Sequence, residues 1–470
     1  MPVDLHYRGR TIHRALDEDL YEAVEPAKFP RHILRFRNQR WAERVGLGGL
    51  TELEWEGHFA RFSPLPDNLE RPLALAYHGH QFDVYNPHLG DGRGFLFAQL
   101  EDDAGRILDL GTKGSGQTRW SRGGDGRLTL KGGVREVLAT EMLEALGVST
   151  SKSFSLFETG EALFRGDEPS PTRSSVLVRL SHSHIRFGTF QRLFHLEHAD
   201  AMRKLVEHVV EHYFPDLQDR SDLPSALLAR VANVMANLAA SYTIAGFVHG
   251  VLNSDNMNVT GESFDYGPYR FLPKVDPSFT AAYFDHGGLY AFGRQPTAIL
   301  RNVRRLGDSL RLTSPSLAVG DAIASFESEY ARRLGERFVA RLGVASAGPE
   351  TDTHFAKTAL AFLADSPVGY DNFYFDWAGG AASTQRALEG GARAVYEVAG
   401  FSPVRDLMEL YVPRCTAMLA TPYFQRSEPV TVLYDVIEKI WSRIDRADDW
   451  DDFDRHIAAI RSLGAARCVV

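Results

Sequence analysis

Two groups of residues in this chain have the types and spacing of a site that handles phosphate. The first is Leu108-Asp-Leu-Gly-Thr-Lys113, a short strand ending in a lysine and followed by Gly114-Ser115-Gly116. A lysine so placed can aim its ammonium at a phosphate, and Glu136 on the helix expected next can pair with it and hold its rotamer. A surface lysine beside a solvated helix face is the plain alternative. The second group is His249-Gly-Val-Leu-Asn-Ser-Asp-Asn256, with Asp265-Tyr266-Gly267 beginning nine residues beyond Asn256. Asn256 and Asp265 offer hard oxygen ligands suited to a magnesium ion that bridges nucleotide phosphates. A lone Asp-Tyr-Gly is usually a turn; the paired pattern after a long apolar helix gives it weight.

Kinase-type sites combine these same parts: a strand lysine, a helix glutamate, a loop asparagine and the aspartate of an Asp-Phe-Gly turn. One part is missing. Where a base aspartate follows the histidine in His-Gly-Asp or His-Arg-Asp, this chain has Val251, which cannot accept a proton. Asp255, directly before Asn256, is the remaining carboxylate for that role. The pattern reads as a kinase-type site with its ordinary γ-phosphoryl transfer removed.

Further phosphate-binding candidates surround these groups. Gly-Asp-Gly-Arg occurs twice, at 90–93 and 124–127. Its glycines can bring backbone N–H groups close to phosphate oxygens, and Arg93 and Arg127 can add forked charge, although two tight turns would explain the repeat equally. Arg179 and Arg186 are additional clamp candidates, although helix-capping or salt-bridge roles would be equally ordinary for them. A different chemistry is suggested by His208-Val-Val-Glu211-His212, which fits the inverted zincin pattern H-x-x-E-H; a solvated helix face is its ordinary reading.

The elements that must position these residues read as α+β. Gly94–Leu100 and Arg106–Thr112 look like strands joined by the turn 101–105, and Val134–Leu146 follows as an amphipathic helix. Ser174–Leu180 is strand-like. The loop 166–171 before it is expected to separate a smaller sheet-rich part from a larger helical part. Helical periodicity marks Ala199–Tyr213, Pro224–Ala245, Thr384–Val398 with an interruption at Gly390-Gly391, Val404–Leu419 with a kink at Pro413, and Val430–Ile444.

Composition sets outer bounds. At ~100–200 residues per domain, 470 residues allow two to four domains. A formal charge of −9 gives no overall footprint for nucleic acid or an anionic membrane. Two cysteines, Cys415 and Cys468, exclude a disulfide framework and suit a reducing compartment. Residues 1–20 carry acidic groups and no apolar core, and no uncharged apolar run reaches the ~18 residues of a membrane span. The expectation is a soluble cytoplasmic protein.

Taken in order, several segments resemble the selenoprotein O family. They are Tyr77-His-Gly-His-Gln-Phe82, Pro87-His-Leu-Gly-Asp-Gly-Arg93, Lys113-Gly-Ser-Gly-Gln-Thr118, Ser121-Arg-Gly-Gly-Asp-Gly-Arg127 and Arg135-Glu136, then Ser183-His-Ile-Arg-Phe-Gly188, His249 to Met257 and Asp265-Tyr-Gly-Pro-Tyr269. The likeness spans about 75–300 and fades beyond. Where family members usually read Leu-Arg-Ser-Ser-Ile-Arg-Glu, this chain has Leu130-Lys-Gly-Gly-Val-Arg-Glu136.

The resemblance implies a protein-kinase-like fold of two lobes: a sheet-rich N-lobe at 1–175, a C-lobe core at 176–310 and a helical C-terminal region at 311–470. It also implies a pseudokinase that binds ATP in a flipped orientation and moves AMP to Ser, Thr or Tyr hydroxyls of proteins, releasing pyrophosphate. By position, Asp255 would be the proton acceptor, and Asn256 and Asp265 the ligands of Mg2+, with Mn2+ an option. Lys113, held by Glu136, would contact phosphates with Arg93, Arg179 and Arg186. Gly90, Gly92, Asp125 and Gly126 would line the nucleotide site. The partners implied are ATP and acceptor proteins, with no nucleic acid or membrane, and the chain is expected to be monomeric. Without a family-style cysteine pair, a regulatory disulfide is not expected. The rival readings are an ATP-binding scaffold, a small-molecule or protein kinase, and a zinc protease using His208, Glu211 and His212.

Overall fold

The structure is a computed structural model described over residues 4–166 and 168–468. Its sheet is built from Tyr21–Ala23 (β1), Ile33–Arg37 (β2), Leu73–Leu75 (β3), Leu96–Glu101 (β4), Ile107–Lys113 (β5), Lys152–Leu163 (β6) and Thr172–Ser181 (β7). Their spatial order is β1-β3-β4-β5-β7-β6-β2, and the short strands Gly9–Arg10 and Leu128–Thr129 complete a nine-stranded antiparallel sheet. Between β4 and β5 the Asp102 carboxylate accepts the N–H groups of Ala104 at 3.0 Å and Arg106 at 2.9 Å, closing the turn the sequence predicts.

Register decides where the cations go. Lys113 of β5 lies opposite Leu177 of β7, and Arg179 lies opposite Gly111. Directly opposed residues share a face and the side-chain period is two, so Lys113 and Arg179 project from the same side of the sheet. Leu130–Ala145 (α1) crosses near them, capped by the Thr129 hydroxyl, which accepts the Gly132 N–H at 3.1 Å. The helix comes unusually close: a Cβ at Gly133 would stand 2.5 Å from Leu156 and 2.9 Å from the Ser175 hydroxyl. That approach brings Glu136, one turn further on, to the lysine.

The larger part is helical and includes Phe187–His195 (α2), Ala199–Tyr213 (α3), Leu223–Ala245 (α4), Gln295–Leu310 (α5), Val319–Leu342 (α6), Pro349–Ala364 (α7), Tyr434–Ala447 (α8) and Asp451–Cys468 (α9). Asp222 caps α4 and Gly246, at φ 65°, ends it. By length and composition α4 could cross a membrane. Here its Leu227, Leu228, Val231 and Met235 are core residues, sharing one cluster with Val134 and Leu138 of α1. The segment 384–398 breaks into two short helices at Gly390-Gly391, as its glycines predict, and 404–419 divides into Ser402–Met408 and a 3-10 turn at Thr416–Ala420.

Two expectations change. The loop 166–171 joins β6 to β7, adjacent strands of one sheet, so it is a hairpin connection and the change to helical structure comes after Ser181. The C-terminal region is also no appendage. Ile457, Ile460 and Leu463 of α9 share a core with Val137, Leu138 and Met142 of α1. Arg461 binds Glu141 of α1 through two hydrogen bonds of 2.8 Å, and Asp448 accepts from Arg35 at 2.8 Å and Arg173 at 2.6 Å.

The Glu141 side chain is 2 % exposed and Arg461 is one third exposed, so deleting the arginine leaves a buried carboxylate with only the longer contacts of Arg40 at 3.5 Å and Asn38 at 3.4 Å. Arg461→Ala is expected to destabilise the fold by ~2 kcal/mol in denaturant unfolding, below the full cost of breaking a buried pair because solvent screens the arginine. Restoration of stability in an Arg461→Met, Glu141→Met double variant is the check on that cause; no loss in the single variant contradicts it.

Candidate active site

A cavity of about 680 Å³ opens beside the ends of β5 and β7, beneath both Gly-Asp-Gly-Arg turns and against the loop carrying Asp255 and Asp265. This volume suits a small-molecule ligand. Of the sequence-derived candidates, Gly90, Gly92, Arg93, Lys113, Asp125, Gly126, Arg179, Arg186, Asp255 and Asp265 all line it. Glu136 and Asn256 do not; each is attached to a neighbour that supports the site.

At its inner end four charges interlock. The Lys113 ammonium donates to Glu136 and, at 2.8 Å, to Asp265; Arg179 also donates to Asp265, at 3.2 Å. The side chains of Lys113, Glu136 and Arg179 are at most 5 % exposed, whereas Asp265 is 27 % exposed and is the member open to the cavity. Charges this deep persist only when paired. Burial alone would raise the Asp265 carboxyl, but Lys113, Arg179, Arg186 and Arg93 outweigh it and hold the group well below the usual carboxylate range. Asp265 also occupies the left-handed region at φ 62°, a conformation aspartate tolerates better than most residues.

Asp255 sits in a different environment. It lies on the 3-10 turn Ser254–Asn256, with Oδ2 3.4 Å from the Gln81 amide. Its Oδ1 is buried without a hydrogen-bond partner among the described residues. Burial pushes this carboxyl up to about 6, against the pull of Arg186. Gly79 stands behind it: a Cβ there would meet Oδ1 at 3.0 Å. The Asn256 amide nitrogen donates to the Val251 carbonyl at 3.0 Å, which fixes the amide and leaves its oxygen as the available donor atom.

Arg186 is more clamp than free cation. It donates to the Asp255 carbonyl at 3.0 Å and to the Asp91 carboxylate at 3.2 Å, and its guanidinium lies 4.4 Å from the Tyr77 ring and 4.8 Å from Phe264. Asp91 in turn accepts the Leu75 N–H at 3.1 Å. Arg127 is taken by Glu161 at 2.9 Å, and Asp125 by Arg165 at 2.7 Å. Arg93 and Arg122, both exposed at the cavity, make no ion pair among the described residues. The glycines of the two turns interlock them as much as they open them: a Cβ at Gly90 would strike Trp120 at 2.4 Å, and one at Gly126 would strike Gly116 at 2.3 Å.

Sequence reasoning did not assign the residues that hold the loop this role. Gln295 accepts the His249 N–H at 2.9 Å and donates to the Phe247 carbonyl at 2.8 Å; Asn302 donates to the Leu252 carbonyl at 2.8 Å. Asn253 accepts the Phe82 N–H at 3.1 Å and the Tyr290 hydroxyl at 2.6 Å. Asn253, inside the His249–Met257 segment, and Asp91, inside the first Gly-Asp-Gly-Arg, had a local signal, and Tyr290 and Gln295 lie in weaker continuations of the family likeness; Asn302, an isolated amide, had none.

The oxygen donors fit a magnesium ion that is also bound by a nucleotide. Asp265 is ionised and cavity-facing, and Asn256 has a free amide oxygen. Among the described residues no three His, Cys, Asp or Glu side chains form a self-sufficient metal cage. Magnesium commonly uses one or two carboxylates together with substrate phosphates.

The H-x-x-E-H reading gains no support. The His208 ring lies 4.6 Å from His212 and 6.4 Å from His13, Glu211 is exposed, and no third ligand is present among the described residues. His208 and His13 are instead buried neutral groups, lowered by burial to about 3 and about 4. Cys415 is a free, half-buried thiol, and the side chain of Cys468 lies outside the described residues.

A sequence profile of the family "Protein adenylyltransferase SelO" matches residues 3–461. A Gloeobacter violaceus protein called protein nucleotidyltransferase YdiU is 43% identical over 461 residues, covering 95% of this chain and 93% of its own. Its Synechocystis namesake is 41% identical over 470 residues, covering 95% and 96%. A Vibrio cholerae protein of the same name is 36% identical over 369 residues, covering 76% and 72%. The chain belongs to the SelO family. The likeness continues well past residue 300, where the motifs alone had faded, and in this chain the C-terminal helices share a core with α1.

Histidines kept neutral in the fold make stability depend on pH. In the unfolded chain His13 and His208 protonate near the ordinary 6.5; in the fold they resist to about 4 and about 3. Their contribution is therefore complete above pH 6.5 and is lost as pH falls from there through about 4 for His13 and about 3 for His208. Denaturant unfolding at a series of pH values is expected to show this acid slope, and His208→Gln to reduce it. An unchanged slope in the variant contradicts the assignment.

Proposed function

We propose that this protein is an adenylyltransferase that moves AMP from ATP to hydroxyl groups of Ser, Thr or Tyr in other proteins and releases pyrophosphate. The observation that carries the reading is the buried Lys113–Glu136–Asp265–Arg179 quartet opening onto a basic cavity beside Asp255, in a chain with Val251 where a kinase keeps its base. The family's name supports adenylate as the transferred group, and the relatives' name supports nucleotide transfer to protein. A sheet crossed by α1 and followed by a helical part after Ser181 supports a kinase-like arrangement of two lobes. The low cysteine content supports a reducing, cytoplasmic compartment.

In this mechanism Lys113, fixed by Glu136, holds phosphate oxygens together with Arg179 and the unpaired Arg93. Asn256 and Asp265 would hold magnesium, which when bound neutralises triphosphate charge; manganese suits the same donors. The acceptor hydroxyl oxygen forms a bond to the α-phosphorus, and the bond from that phosphorus to the bridging oxygen breaks. Pyrophosphate leaves with the electron pair. Asp255 receives the hydroxyl proton at its unpartnered Oδ1. Arg186 holds the carbonyl of the same residue, so the carboxylate stays in place while charge develops. Preorganised cations of this kind supply the largest part of such rate enhancements.

The test compares ATP labelled at the α or the γ phosphorus, with magnesium and an acceptor protein. Protein-bound label is expected from the α position alone; label from the γ position alone would indicate a kinase, and none from either would indicate a nucleotide-binding scaffold. Asp265→Ala is expected to lower α-label transfer at least ~100-fold, and full activity in that variant removes the metal assignment.

A further inference from the structure

A second cavity, of about 510 Å³, lies on the other side of the hairpin Gly79–Asn86, between α2 and α5. His80, Tyr85, Phe194, His195, Arg304 and Arg305 are among its walls. Two properties distinguish it from an incidental cleft. It holds one uncommitted cation: Arg304 is exposed with no ion pair among the described residues, whereas Arg301 and Arg305 converge on Asp83, each at 2.6 Å, and Asp308, also in the wall, pairs with Arg311 at 3.0 Å. On a chain of net charge −9 an unpaired arginine at a cavity wall is a point of attraction for an acidic group. It also presents an apolar surface, since Phe194 is 45 % exposed.

The groove is wired to the proposed base. Gln191 of α2 accepts the Ser254 hydroxyl hydrogen at 2.6 Å and meets His80 Nδ1 at 3.0 Å, and the His80 N–H donates to the Ser254 oxygen at 2.7 Å. Ser254 directly precedes Asp255. His80 faces this groove, whereas its neighbour Gln81 lines the first cavity and reaches Asp255. One strand therefore separates the two spaces, so an extended polypeptide crossing the hairpin would occupy both.

We propose that this groove seats the segment of the acceptor protein flanking the modified hydroxyl, with an acidic side chain on Arg304 and an apolar one on Phe194. The inference rests on the transferase reading and names its substrate class: hydroxyls within acidic, aromatic-containing segments. Arg304 supplies charge complementarity, and Phe194 supplies an apolar anchor of the kind that dominates peptide recognition.

The experiment uses the full chain and fluorescent peptides with a single serine whose flanks differ only in composition: acidic with Phe, acidic with Ala, and basic with Phe. Anisotropy without nucleotide reads binding, and α-labelled ATP reads transfer. The acidic Phe peptide is expected to bind about tenfold tighter than the basic one, because Arg304 attracts the first and repels the second. Arg304→Glu should reverse that order, Arg304→Lys should keep it, and Phe194→Ala should remove the advantage of Phe over Ala, all with ATP binding unchanged. Indifference to peptide charge, or a preference that survives Arg304→Glu, overturns the groove. So does equal competition by a single-stranded oligonucleotide, which would make it a general anion site. Charge-selective binding without α-label transfer would keep the groove and reject the transferase reading; transfer without selectivity would do the reverse.

Discussion

The burial of Lys113 and Arg179 governs this molecule. Two cations on one face of a sheet, each at most 5 % exposed, need carboxylates that the sheet itself does not supply. Glu136 comes from α1 and Asp265 from the loop beyond α4, so the ion pairs form only when the sheet and the two elements around it are assembled. The cost of leaving any one charge unpaired in such surroundings is several kcal/mol. Assembly of the site and assembly of the fold are thus the same event.

Other features follow from that requirement. Gly133 lets α1 approach the sheet, and α9 then grips the outer side of α1 through the Arg461–Glu141 pair and a shared apolar core. The helix that presents Glu136 is fixed from both sides. On the opposite wall, Gln295 and Asn302 of α5 tether the backbone of the Asp255 loop, and Arg186 ties that loop to the first Gly-Asp-Gly-Arg turn through Asp91. The two carboxylates are consequently driven apart: Asp265 among cations is held ionised, and Asp255, deeply buried, is lifted to about 6. One suits a cation ligand and the other a proton acceptor.

Much of this was legible in the sequence where chemistry and local pattern coincide. Lys113, Glu136, Asp255, Asn256 and Asp265 stood out because few contexts need those types in that order, and helices such as Ala199–Tyr213 stood out by periodicity. Long-range packing was not legible. The hairpin connection at 166–171 looks like a linker until β6 and β7 are seen to pair, and α9, rich in acidic residues at its start, shows its core face only against α1. Likewise the sequence left Arg186 between a phosphate ligand and a salt-bridge partner, and its partners Tyr77, Phe264, Asp91 and the Asp255 carbonyl come from four separate segments.

The central claim is that a residue outside the cavity, Glu136, controls nucleotide binding by holding Lys113 against Asp265. Calorimetric titration of magnesium–ATP into Glu136→Gln, with folding verified by circular dichroism, tests it most directly. The account predicts at least a tenfold loss of affinity in a folded protein, because a neutral amide no longer fixes the ammonium that meets the phosphates. Affinity equal to that of the unaltered chain would contradict it.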